Sequence, residues 1–126
     1  MADIAKSGTP SLATTTLQVN SIAGLVAGEA IGAGDACYIK SDGKVWKATG
    51  AADNAAAKVF GYACQAASSG EAVTLAWDVR FRYGTGLTPG SFAYLSGATA
   101  GALADAASTG GKEPIGTVID ATRIHL

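Results

Sequence analysis

The segment from Ile31 to Ala63 is written a second time further along the chain, and this duplication limits the possible folds more than any other feature. The first copy opens with Ile31-Gly32-Ala33-Gly34-Asp35-Ala36-Cys37-Tyr38-Ile39, continues through Gly43-Lys44-Val45 and ends in Val59-Phe60-Gly61-Tyr62-Ala63. The second opens with Leu87-Thr88-Pro89-Gly90-Ser91-Phe92-Ala93-Tyr94-Leu95, continues through Gly101-Ala102-Leu103 and ends in Pro114-Ile115-Gly116-Thr117-Val118. Gly34 thus matches Gly90, Tyr38 matches Tyr94, Ile39 matches Leu95, Val45 matches Leu103 and Gly61 matches Gly116.

Each copy reads as β structure. An apolar residue three positions before a glycine, followed by an alternating run such as Ala36 to Ile39, describes a turn feeding a strand. Ser41-Asp42-Gly43 is then a hairpin turn, with Asp-Gly suited to the positive φ angles of a primed two-residue turn. Lys44 to Ala48 returns as the partner strand, with Val45 on one face and Trp46 on the other. Two copies are too few for a solenoid, which needs at least three units to bury its faces. They predict one small barrel or sandwich with pseudo-twofold symmetry.

Composition supports a single domain with a thin core. The chain has 126 residues, and 27 of its 61 hydrophobic residues are alanine. Small all-β domains with few large side chains often need a subunit interface to bury enough surface, which predicts a homo-oligomer. Charge is balanced at a net −1, without a basic stripe, so phosphate neutralisation and nucleic-acid binding are not expected. No apolar run approaches a membrane span and Met1 to Lys6 has no signal-peptide core, which predicts assembly in a cytoplasm. Cys37 and Cys64 lie in predicted strands, as buried free thiols or as a disulfide formed in an oxidising medium.

Residues 1–20 differ from the rest and read as an extended arm, leaving 21–126 as the barrel domain. Thr14, Thr15, Thr16, Leu17, Gln18 and Val19 form a β-prone tract without a nearby hairpin partner. Such a tract either adds a strand to another sheet, the reading we favour, or is the first strand of the barrel. One strand is expected within Ile22 to Ala30. Gly50 to Lys58 is expected to be a loop with one helical turn, Val59 to Ala66 and Ala72 to Trp77 strands. Asp78 to Tyr83 alternates strictly, with Val79, Phe81 and Tyr83 on one face and Asp78, Arg80 and Arg82 on the other. Arg123-Ile124-His125-Leu126 takes the place in the second copy that Val73 to Leu75 holds in the first, and is expected to close the barrel.

Chemistry is sparse. His125 is the only histidine, so no site of two or three histidines can hold a metal. No nucleophile motif surrounds a serine or either cysteine, the acidic residues are too scattered for a calcium loop, and Gly32-Ala33-Gly34 lacks the helix start of a phosphate loop. Neither an enzyme nor a cofactor is expected. Trp46, Trp77, Phe81 and Tyr83 are assigned to a core or subunit interface, with a sugar-binding groove as the alternative.

The order Tyr38 to Ala48, an alanine-rich loop, Phe60-Gly61-Tyr62-Ala63, Val73-Thr74-Leu75 and Val79-Arg80-Phe81-Arg82-Tyr83 resembles the lambda-type head decoration proteins of tailed bacteriophages. The likeness covers roughly Cys37 to Gly84, and with Leu87 to Gly90 and Ile115 to Val118 the whole pattern is similar to the small phage β-barrel cement proteins. It implies an all-β, β-tulip-like barrel forming a trimer at local threefold sites of a capsid. There the arm Thr14 to Val19 adds a strand to the major capsid protein on the outer surface of the virion. The second copy departs from the lambda type, whose second half is more helical. The runner-up is a phage tail or fibre module that binds a receptor or glycan, for which an exposed aromatic groove would speak. A cellular carrier barrel is a third possibility, weakened because the turn at Ser41 to Gly43 bears no lysine.

Overall fold

The computed structural model describes residues 2–12 and 20–126. The fold is all-β, with strands β1 (Ser11–Leu12), β2 (Ser21–Val26), β3 (Ala36–Ile39), β4 (Val45–Lys47), β5 (Gly61–Ala63), β6 (Ala72–Ala76), β7 (Arg80–Arg82), β8 (Phe92–Leu95), β9 (Leu103–Ala104), β10 (Gly116–Val118) and β11 (Arg123–His125). A 3₁₀ turn at Ala55–Ala57 interrupts the alanine-rich loop, started by Asn54, whose side chain accepts from the Ala56 amide. Three residues of alanine are too few to propagate a helix.

The strands form two curled antiparallel sheets, and their order repeats. One sheet runs β2-β6-β5-β3-β4 and the other β1-β7-β11-β10-β8-β9. Apart from β1, each strand of the second sheet stands where its counterpart stands in the first. Register agrees as well: Tyr38 and Ile39 face Trp46 and Val45, as Tyr94 and Leu95 face Ala104 and Leu103. Cys37 faces Gly61 as Ala93 faces Gly116. The duplicated unit is therefore five strands long, residues 21–76 and 80–125, longer than the repeated residues alone.

At Gly61 and Gly116 the neighbouring strand sits too close for a side chain. A Cβ at Gly61 would lie 3.1 Å from the Ala76 carbonyl, and one at Gly116 would lie 2.9 Å from that of His125. The Ser41-Asp42-Gly43 turn differs from the expected two-residue form. Lys40 and Lys44 close it, the Gly43 amide donates to the Lys40 carbonyl, and only Gly43 has positive φ, at 80°. This is a type I turn followed by a left-handed glycine, a three-residue hairpin loop.

Two apolar clusters fill the molecule. Ala27, Ile31, Cys37, Val45, Ala63, Ala67, Val73 and Leu75 line the inside of the first sheet, whose ends meet through a parallel bridge between Ala27 and Val45. The larger cluster includes Val79, Phe81, Tyr83, Leu95, Leu103 and Ile124 from the second unit, joined by Ala36, Tyr62 and Ala76 from the first. Strand alternation explains the split. Within β5, Ala63 points into its own sheet while Tyr62 points across to the other unit, its ring edge-on to Phe81 at 6.4 Å. The outer face of the first sheet thus caps the inside of the second.

The C-terminal strand does not close a barrel. β11 lies in the middle of its sheet, between β7 and β10, because it is the counterpart of β6. The second sheet is instead spanned by the start of the chain.

Candidate interaction surfaces

Residues 2–12 are extended, but they lie along their own domain. The Ile4 amide donates to the Leu103 carbonyl at 2.9 Å, the Asp105 amide to the Ala2 carbonyl at 3.0 Å and the Ser7 amide to the Tyr83 carbonyl at 3.0 Å. Ser11 and Leu12 then pair with Arg82 and Phe81. One segment therefore satisfies both open edges of the second sheet, β9 and β7. The Ile4 to Leu103 bond repeats the bond from Gly28 to Val45 in the first unit, where Leu103 and Val45 are counterparts. Side chains add to the attachment. Lys6 forms an ion pair with Asp35, a buried carboxylate that also accepts from the Gly32 amide, and the buried Ser96 hydroxyl donates to Asp3. Pro10 packs on Gly34 so tightly that a Cβ there would lie 2.8 Å from it. The arm assigned to 1–20 is accordingly not a free arm over residues 2–12. The tract Thr14 to Val19 lies outside the described residues; before it Leu12 pairs in β1, and after it the Asn20 carbonyl accepts from the Trp77 amide.

Beside this segment lies a cleft of about 370 Å³. Ile4, Leu87, Phe92 and Val118 form its apolar lining, with Lys6 and Asp105 at its polar margin.

The four aromatic residues assigned to a core or subunit interface separate into three settings. Phe81 and Tyr83 are completely buried in their own domain, the core alternative of that assignment. Phe81 lies on the inward face of β7, an inner strand flanked by β1 and β11, and Tyr83 follows directly after that strand, where alternation leaves them no route to a partner. Trp46 is half-buried and satisfied locally: its indole Nε1 donates to Asp42, Lys40 stands 4.4 Å from its ring centre, and it covers Gly28. Trp77 alone is exposed, at 38%, and meets Phe60, exposed at 44%, edge-on at 5.8 Å. Phe60 was missed as a surface residue because its neighbours in sequence are strand core. Phe92 is the most exposed large apolar side chain among the described residues, at 53%.

Potentially reactive groups are dispersed. Among the described residues no three His, Cys, Asp or Glu side chains come together as a metal site. Both cysteines are free thiols. Cys37 points into the first cluster and Cys64 packs on the other, from opposite faces of one sheet. Burial first, then the Asp35 and Glu29 charges, push the Cys37 thiol up to about 12. The Tyr83 hydroxyl is buried without a completed hydrogen bond among the described residues; the Leu103 amide approaches it, and burial raises its pKa. Among the described residues no helix is long and apolar enough to cross a membrane.

Alternation already put Asp78, Arg80 and Arg82 on one face, but the extension of that charged face onto β11 could not be seen in the linear sequence. Arg80 is the cross-strand partner of His125 and Arg82 of Arg123, so all three arginines and the only histidine of the chain share the outer side of β7 and β11. His125 Nε2 lies 2.8 Å from Asp78 Oδ1, and Asp78 adopts a positive φ of 54° at the junction of the two units. Arg123 binds Asp120 through Nε and a terminal nitrogen, each at 2.7 Å, and this bond first of all lowers the Asp120 carboxyl to about 2. Arg80 and Arg82 are exposed and make no ion pair among the described residues.

Comparison of the chain with family models, with curated proteins and with solved structures finds no match in any of the three.

Proposed function

We propose that this chain is a structural protein that decorates and stabilises the head of a tailed bacteriophage. It would act as a trimer at local threefold sites on the outer surface of the capsid, with the major capsid protein as its partner and with neither nucleic acid nor membrane in the contact. The observation that carries the proposal is the start of the chain. An extended segment runs along the edge of a small β-domain and delivers a β-prone tract, Thr14 to Val19, from the end of edge strand β1. Added to a sheet of the shell, six such residues contribute several backbone hydrogen bonds at roughly 0.5–1.5 kcal/mol net each, less the cost of ordering them. Three tracts per trimer raise one another's effective concentration, so weak single contacts sum to a firm attachment. A duplicated β-domain with a small core suits a role in which rigidity and exposed faces matter more than a reactive cavity.

A glycan-binding or receptor-binding tail module is the second reading, and Phe60 with Trp77 favours it. An exposed edge-on aromatic pair can stack against a sugar face.

The test must keep residues 2–12, since they span the second sheet. The full chain and a variant with 14–19 replaced by Gly and Ser at unchanged length are weighed by light scattering and mixed with expanded empty phage heads. Trimers of both forms, with only the full chain bound, support decoration. A monomer that ignores the heads but binds an immobilised glycan through Trp77 supports the second reading.

A further inference from the structure

We propose that the outer face of β7 and β11, carrying Arg80, Arg82 and Arg123 with His125 and Phe92 beside them, is a docking site for a carboxylate-rich segment of a partner protein. The inference does not rest on the decoration reading, because a tail module could use the same face.

Duplication provides an internal comparison. Across the first sheet, one row of cross-strand partners reads Ser21, Ala76, Tyr62, Ala36, and its last three residues are buried against the second unit. The same row in the second sheet reads Arg80, His125, Thr117, Phe92, and all four side chains are exposed. The row is thus Ala76, Tyr62 and Ala36, without charge, where the chain covers it, and carries Arg80 and His125 beside an exposed Phe92 where the chain leaves it open. Solubility alone does not call for this pattern. Arg82 and Arg123 stand directly opposite each other, and like charges in that arrangement destabilise a sheet. Asp120 engages Arg123, whereas Arg80 and Arg82 make no ion pair among the described residues.

The composition of the face selects the partner. Guanidinium groups bind carboxylates through two parallel hydrogen bonds, and arginine and aromatic side chains are the residues enriched where protein interfaces concentrate their energy. Phe92 and Ile119, exposed at 53% and 36%, provide apolar flanks to the cationic centre. Ile119 joins the row below, its amide donating to the Arg123 carbonyl. Asp78 and Asp120 lie within the same face and would repel a phosphate backbone, while a protein can set a lysine or an amide against them. Charge complementarity therefore favours an acidic polypeptide over nucleic acid.

The experiment uses the full chain and a fluorescein-labelled twelve-residue peptide of glutamates interspersed with glutamines, whose amides can meet Asp78 and Asp120, with a thymidine dodecanucleotide as the second probe, read by anisotropy at low and high salt. The Arg80→Gln/Arg82→Gln variant removes two unpaired charges. Lys58→Gln/Lys112→Gln removes two exposed charges elsewhere, both paired with Asp53. The expected result is peptide binding that weakens with salt and falls roughly tenfold in the arginine variant, while the lysine variant stays within about twofold of the parent. Arg80→Lys/Arg82→Lys should restore only part of the loss, since lysine keeps the charge without the fork. Equal loss in the lysine variant, absence of peptide binding at low salt, or tighter binding of the oligonucleotide would each overturn the proposal. Urea midpoints for each variant show that the fold is retained.

Discussion

Phe81 and Ile22 occupy the same place in the two copies, since each is the cross-strand partner of a fully buried residue, Ile124 in one case and Leu75 in the other. Their surroundings differ. Phe81 has no exposed surface, lying beneath Tyr62 with Leu12 of β1 as a second cross-strand partner, whereas Ile22 is 37% exposed on edge strand β2, which shifts register between Ile22 and Leu25. Truncation to alanine should therefore cost very different amounts. Phe81→Ala removes a fully buried ring and leaves a cavity, at about 3–5 kcal/mol, while Ile22→Ala removes a part-solvated side chain, at about 1 kcal/mol or less. With a urea slope of about 1–3 kcal/mol per molar, Phe81→Ala should lower the unfolding midpoint by about 1–5 M, and Ile22→Ala, at the same slope, by no more than about a third of that. The measurement is equilibrium urea unfolding by fluorescence, with all three proteins at one concentration so that any association affects them alike. Midpoints within about 0.3 M of each other would refute the claim that the first unit's outer face and the N-terminal segment together seal the second unit's core.

The remaining predictions concern single groups. Tyr83→Phe should raise stability by up to about 1 kcal/mol, because it deletes a buried hydroxyl that has no completed hydrogen bond; a lower melting temperature would show that the hydroxyl is satisfied after all. Stability should be lost at alkaline pH. The folded Cys37 pKa lies above its ordinary 9.0, so its contribution is intact below pH 9 and is lost between pH 9 and about 12, at no more than about 1.4 kcal/mol per pH unit. Tyr62 and Tyr83, both raised by burial, add to the loss above the ordinary phenol range, and Cys37→Ala should flatten its early part in urea titrations at a series of pH values. In the native protein a thiol reagent should modify Cys64 first and Cys37 only on unfolding; rapid modification of both would contradict the burial of Cys37. Gly43→Ala should cost about 1 kcal/mol of backbone strain although nothing crowds the site, and Gly43→Asn less, as thermal melting would show.

Local pattern determined much of this protein. The duplicated glycines, the matched pairs Tyr38 with Tyr94 and Val45 with Leu103, and the alternation from Asp78 to Tyr83 all concern neighbours in sequence or equivalent positions in a repeat. They therefore led to the β fold, its pseudo-twofold repeat and the division of β7 into an apolar and a charged face. Three features needed the tertiary structure. The attachment of residues 2–12 to β9 and β7 was hidden, because hydrogen bonds to an open sheet edge come from backbone and leave little trace in side-chain periodicity. The burial of Phe81 and Tyr83 depends on which unit covers the other, and two copies of one motif do not specify that. The grouping of three arginines depends on β7 pairing with β11 across most of the second unit. Balanced charge along a chain sets net charge and little else; which charges share a face is decided by long-range strand pairing, when the gain in buried apolar surface fixes the register.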